Sequence, residues 1–498
     1  MRGSIPKWCV CAAMIGLLAA GSTNAWGQQG LLPIQDPAYV ASGVSPLVSG
    51  STYLSGESGD LAARVADLEA ELQKIQDKAA SANKKAAGKP SVTVGGLMQL
   101  DWALFDQDAE SMANVPGGDW QDGVEFRRAR LFVKGEAFHV IDYKFQLDFA
   151  NTDNANQGSD PDPDGDGIQP AHIDELIQST GFADVYLTVK ELPVLGNVRI
   201  GQYKEPFGME ELTGAAHLSF LERSINDTGA FVPGRRIGVM AFNHTENERL
   251  TWAIGAFRNE LENGSNPPRR FDDDGGTALT TRVTCLPWYD EATDGRGLLH
   301  LGCAFSHRDV DDDTYRFRAR PESHIAPYVV DTGNIAGVPD LQLYGAELAY
   351  VYGPLSVQSE YFHAAVDRQA DADLAFDGMY VYVSYFLTGE HRNYDRSNGV
   401  FTRTKPFENF FLVRTCDGDL AWGKGAWEVL YRYSYMDLND DNVFGGLISN
   451  HTVGLNWHLN PYTRFMWNYV NSRSTDDDPG VTPMTTQHIV EMRAQIDF

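Results

Sequence analysis

The sequence predicts an all-β fold, a sixteen-stranded antiparallel transmembrane β-barrel preceded by a short N-terminal coiled-coil helix. Three observations carry this. From Val92 to Phe498, runs of about ten residues alternate apolar and polar side chains. The segments between the runs alternate between short and long. The chain opens with the features of an export leader.

In order along the chain, residues 1–25 read as a signal peptide. Arg2 and Lys7 are its positive end, "WCVCAAMIGLLAA" its apolar run, and Thr23 and Ala25 a small-residue cleavage site. The run is too short for a membrane anchor, and no other stretch approaches 18 consecutive apolar residues. Residues 26–56, rich in Gly, Ser, Pro and Ala, read as a flexible linker. In residues 57–88 the period changes. Leu61, Val65, Leu68, Leu72 and Ile75 are spaced four and three apart, with Ala79 and Ala82 in register. That is a heptad seam, followed by a polar linker. It suits self-association; the alternative is one amphipathic helix packed on the main domain.

Residues 92–498 are the barrel domain. In "DYKFQLDFAN", Tyr143, Phe145, Leu147 and Phe149 oppose Asp142, Lys144, Gln146 and Asp148. In "HIVEMRAQIDF", Val490, Met492, Ala494, Ile496 and Phe498 oppose Glu491, Arg493, Gln495 and Asp497. A soluble core would have to bury those charges, whereas a water-filled lumen accepts them. The oily face therefore looks out. "AWEVLYRYSY" places Trp427, Tyr431, Tyr433 and Tyr435 on that face, as in an aromatic girdle. Short links such as "LPVLG", "YGP" and "HLNP" alternate with long ones at 151–181, 205–235, 259–277, 308–340 and 473–486. Segment 388–424 breaks the rhythm, being long but on the short-turn side. It is either a large insertion or a missed strand pair.

Several stretches resemble the phosphate-selective porin O and P family: "FRRARLFVKGEAF", "VRIGQYKEPFGMEELT", "FLERS", "FVPGRRIGV", "HTVGLNWHLNP" and the final "QIDF". They run in order from about Val92 to Phe498, and "KEPFGMEELT…FLERS…PGRRIGV" is the most specific part. The resemblance implies a bacterial outer-membrane channel, trimeric, with residues 205–235 folded into the lumen as a constriction. It departs from the family after "EELT", where serine hydroxyls are expected and Gly214, Ala215 and Ala216 stand. Hydrogen-bond donors for phosphate are lost there.

Parity assigns the lumen side chains independently of any family. It turns Arg128, Arg130, Lys134, Arg199, Tyr203, Arg432 and Arg493 inward, and Lys204 and Arg223 join them near the implied constriction. Arginine forks on a rigid wall suit small anions such as phosphate. Asp142 and Asp148 on the neighbouring strand are able to neutralise Arg128 and Arg130, which leaves a general pore as the alternative. A structural barrel tethered through its coiled coil and an exported soluble β-domain are further alternatives. The net charge of −28 argues against nucleic acid as a partner, and much of the acid sits in the long loops. Asp162, Asp164 and Asp166 mimic the start of a calcium loop, but Ile173 stands where the bidentate Glu belongs. A solvated acidic loop is the stronger reading and a weak calcium site the other; no other cofactor is implied. Cys285 and Cys303 either pair across a hairpin or remain wall thiols. No catalytic motif occurs. The expected partners are outer-membrane lipid of a Gram-negative-type bacterium, further copies of the chain and small anionic solutes.

Overall fold

The computed structural model describes residues 90–150, 181–227, 230–259, 276–310, 313–414, 420–475 and 484–498. The leader, the linker, the heptad segment with its expected coiled-coil helix, the loop with Asp162, Asp164 and Asp166, and Cys416 lie outside these residues.

Sixteen strands form one closed antiparallel barrel. They are β1 (Thr93–Gln107), β2 (Gly123–Ala137), β3 (Ile141–Asp148), β4 (Gly181–Leu192), β5 (Gly196–Lys204), β6 (Arg235–His244), β7 (Leu250–Arg258) and β8 (Thr277–Tyr289). The second half comprises β9 (Gly297–Asp309), β10 (Asp340–Tyr352), β11 (Leu355–Val366), β12 (Leu374–Phe386), β13 (Ala426–Asp440), β14 (Val443–Asn460), β15 (Thr463–Thr475) and β16 (Thr485–Asp497). Each strand pairs with the next, and β1 pairs with β16. At the seam Gly96 and Phe498 exchange backbone hydrogen bonds of 3.0 and 3.1 Å. Closure satisfies every edge, which a sheet exposed to lipid requires.

The alternation has the expected sense. In β16, Glu491, Arg493, Gln495 and Asp497 are buried inside, while Val490 and Ile496 are exposed outside. In β3, Gln146 and Asp148 are buried inside and Phe145 is exposed outside. Cys303 lies opposite Val283 and Cys285 opposite Leu301, so the two cysteines are diagonal neighbours. That offset is about 7–8 Å between Cα atoms, beyond disulfide reach, and both are thiols.

The interior is filled from both ends. Segment 205–234, between β5 and β6, enters from the long-loop end with a helical turn at Met209–Leu212. Segment 310–339 follows it, carrying two short strand pairs. From the opposite end comes segment 387–425, with strand pairs Tyr394–Asp395/Val400–Phe401 and Phe411–Arg414/Leu420–Gly423. It is an insertion at the short-turn end, because β12 and β13 are direct neighbours. The two ends meet in one apolar cluster that unites Met209 with Tyr394 and Phe401. Phe220, Phe231 and Phe317 pack against the wall residues Phe362 and Phe376 in another. Gly378 of β12 permits this contact: a Cβ there would stand 1.9 Å from Asn226 Oδ1. Asn226 instead donates to the Met379 carbonyl at 2.9 Å.

Candidate functional site

With the β9–β16 side plugged, the open space follows the other wall. An upper cavity of about 430 Å³ lies among β2–β6 and the tips of segments 205–234 and 310–339. A lower one of about 340 Å³ lies among β4–β8 and the insertion. Lys204, at the end of β5, lines both, so it stands between them. Its Nζ donates to the Glu211 carbonyl and stands 3.3 Å from Glu211 Oε1.

The upper cavity is lined by seven Arg and Lys side chains against five Asp and Glu. Most cations there are matched. Arg130 Nε donates to Asp148 at 2.6 Å. Arg127 holds Glu222 with both nitrogens, at 2.9 and 3.1 Å. Arg223 sits 3.0 Å from both Glu211 and Asp227. Arg128 is looser: it donates to Gln99 at 2.8 Å and its nearest carboxylate, Glu222, is 3.7 Å away. Burial would push the Glu222 carboxyl up, but Arg127, Arg128 and Arg493 outweigh it and hold it well below the ordinary value. Burial also pushes Glu211 up, and Arg223 and Lys204 reverse it. Of the two aspartates set against the arginines, Asp148 binds Arg130, while Asp142 pairs with Lys190 at 3.0 Å.

The nine residues that parity and the constriction single out fall into three places. Arg128, Arg130, Lys204 and Arg223 line the upper cavity. Arg199, Tyr203 and again Lys204 line the lower one. Lys134, Arg432 and Arg493 line neither cavity. Lys134 is exposed near the short-turn end. Arg432 and Arg493 do point inward, but they are fully buried beneath segment 205–234. The reason is visible in their contacts. Arg493 donates to the Leu221 carbonyl, Arg432 to that of Glu222, and Arg464 to that of Leu218. Asn456, Gln495 and Gln99 take the carbonyls of Ser219, Ala216 and Ala215. Strand parity gives a side chain's direction and says nothing of the segments that come to lie over it.

The same backbone pinning explains "GAA". Ala215 and Ala216 contribute carbonyls to the wall, and their methyl groups let the loop lie close. No hydroxyl stands at these positions. Parity also misses Arg127. A bulge in the β1–β2 register at Gln99/Leu100 turns it inward next to Arg128; strict alternation would send it into lipid. Arg235 of the upper cavity and Arg282 of the lower are also missed, as is Arg320 in a long loop. The repeat of Arg316, Arg318 and Arg320 among acidic neighbours was its signal. Among the described residues no cluster of three or more His, Cys, Asp or Glu is placed to hold a metal.

The family model for phosphate-selective porin O and P matches residues 92–498. Porin O of Pseudomonas aeruginosa is 25% identical over 416 residues, covering 77% of this chain and 83% of that one. An uncharacterized protein of Caulobacter vibrioides is 27% identical over 426 residues, covering 83% of this chain and 75% of that one. Among solved structures, the anion-selective porin of Comamonas acidovorans has a TM-score of 0.46 at 12% identity, covering 82% of this chain and 100% of that one. The trimer form of OmpT from Vibrio cholerae has a TM-score of 0.46 at 11% identity, covering 82% and 99%.

Proposed function

The chain belongs to the phosphate-selective porin O and P family, an outer-membrane channel and not an enzyme, and from that premise we propose that it passes small anions along the β2–β8 wall. One observation carries the reading. In a chain of net charge −28, the upper cavity has more cations than carboxylates on its walls. Rings of Arg and Lys favour anions in a pore. The acidic remainder of the chain acts on approaching ions only within roughly 8–10 Å at physiological salt.

Selection in this reading is by charge, with phosphate one passenger among several. The loop offers carbonyls already bound to the wall at Ala215 and Ala216, and no hydroxyl there to replace the water around a phosphate. The test is conductance of the purified protein in planar bilayers across a potassium chloride gradient. A reversal potential of anion-selective sign is expected; a cation-selective sign overturns the proposal. Millimolar phosphate added to the chloride current should reduce it only weakly.

The working unit in this reading is a homotrimer built on the outer face of β2–β6. That face carries exposed Val124, Phe126, Leu131, Leu187, Ile200, Ile237 and Val239, with Tyr143 its one outward tyrosine or tryptophan among the described residues. Strands β10–β15 present Tyr352, Tyr361, Tyr385, Tyr431 and Tyr469 outward instead. Interfacial Tyr and Trp mark a wall that meets headgroups, so the gap in the girdle suits contact with another copy. Asp162, Asp164 and Asp166 enter only as a weak external calcium site, which calorimetric titration with calcium chloride checks.

A further inference from the structure

The two cavities differ in chemistry. The upper is walled by ion pairs. The lower combines cations with an apolar surface that includes Pro206, Leu212, Met240 and Phe401. Three of its cations are Arg199, Lys204 and Arg282. Lys204 is engaged by Glu211. Arg282 is held by Glu347 at 2.7 Å and by the Gly399 carbonyl at 2.8 Å. Arg199 differs: among the described residues no carboxylate pairs with it.

Arg199 is nevertheless fixed in place. Its Nε donates to Thr188 Oγ1 at 3.0 Å. Its guanidinium carbon stands 4.1 Å from the ring centre of Tyr186, 4.9 Å from Phe242 and 5.5 Å from Tyr203. Tyr203 is itself backed by Phe257, edge to face at 5.7 Å. The aromatic faces hold the cation without neutralising it. The terminal nitrogens Nη1 and Nη2 have no hydrogen-bond partner among the described residues, so the donor fork is unspent. The chamber's other carboxylates are committed. Asp184 binds Lys144 and Arg235, each at 2.6 Å, and Asp395 binds Ser397 and Asn398.

An unspent fork on an apolar wall suits one class of ligand. Inorganic phosphate is hydrated on every side, and apolar walls cannot replace that water. A carboxylate on an apolar body places its charge on the fork and its hydrocarbon on the wall, gaining from both. The chamber's volume of about 340 Å³ is in the range of small-molecule sites. Resting on the reading of the passage as an anion path, we propose that the lower chamber is a binding site for amphipathic carboxylates, held by the Arg199 fork with the apolar body against Tyr186, Phe242 and Met240.

The test uses the purified protein in planar bilayers, with benzoate and acetate as probes of the chloride current. Benzoate should halve the current at a concentration about tenfold below that for acetate, the size of one favourable aromatic and apolar contact. Arg199→Gln should abolish the difference. Arg199→Lys, which keeps the charge and loses the fork, should lose most of it. Tyr186→Leu should weaken benzoate more than acetate; it is the second variant if Arg199→Gln fails to give the native circular dichroism spectrum. Equal block by the two probes in an anion-selective channel overturns this proposal alone. So does a benzoate preference that survives Arg199→Gln. A cation-selective reversal potential overturns instead the anion path on which it rests.

Discussion

At Glu222 three arginines converge: Arg127 on both oxygens, Arg493 at 2.7 Å and Arg128 at 3.7 Å. Its carboxyl is held well below the ordinary 4.5, so its contribution to stability is fully present above pH 4.5 and is lost only as pH falls through the lower folded value. Lowering the pH from 7 to 5 should therefore leave this anchor intact, whereas Glu222→Gln should remove it at every pH. The expected cost is about 3–5 kcal/mol, because buried guanidinium groups lose their counter-ion. Thermal unfolding followed by circular dichroism measures it, and the reversal potential should move toward anions. His217 also loses stability on acidification, but in a higher pH window. Burial, with Arg403 and Arg464 nearby, pushes its imidazole down to about 3 from 6.5. The unfolded chain then binds the proton more readily, so stability falls as pH drops below 6.5. By pH 5 this group alone should cost about 2 kcal/mol, and His217→Gln should flatten that part of the stability–pH profile.

At the scale of elements, wall strands and inward segments divide the work. The carbonyls of Ala215, Ala216, Leu218, Ser219, Leu221 and Glu222 are each taken by a different wall side chain. The loop is held by its backbone, which frees its sequence for small residues. Arg464→Ala together with Gln495→Ala leaves two of those carbonyls without donors, at roughly 1–3 kcal/mol each. Single-channel current should become noisier and larger as the loop loosens. The insertion is held from below by its side chains instead. Arg392 donates to Gln358 at 3.0 Å and lies 3.6 Å from the Phe401 ring centre, and Tyr394 OH meets His300 Nδ1 at 2.6 Å. Deleting 390–422 and joining the ends with a short Gly/Ser linker should open the lower chamber. Conductance should rise severalfold if passage resistance is concentrated there, and an unchanged conductance would place the resistance at Lys204. The insertion's place on the short-turn side was legible from the count of runs, but its inward fold was not. Nothing local to "HRNYDRSNGVF" says that Arg392, Tyr394 and Phe401 will find partners on β9, β11 and β12.

At the scale of the whole barrel, the girdle is uneven, and the apolar face of β2–β6, poor in outward Tyr and Trp, is the proposed contact between copies. Ile200→Arg with Leu131→Arg should convert a trimer to monomers in detergent, read by light scattering, with the β-sheet spectrum retained. The sequence by itself determined the sixteen strands, their inward and outward faces and the end at which the chain turns briefly. These follow from a period of two and from turn length, and both are local properties. It also determined that Arg128, Arg130 and Arg199 point inward. The tertiary structure alone decided which inward side chains remain in the passage. Arg432 and Arg493 became anchors under a loop that lies more than two hundred residues from either of them in the chain. Arg127 entered through a bulge set by register with β1. Arg199 kept its fork unspent because its neighbours on β4 and β6 are aromatic rings rather than carboxylates. Strand parity is written residue by residue, but charge neutralisation depends on which segments the closed barrel brings face to face.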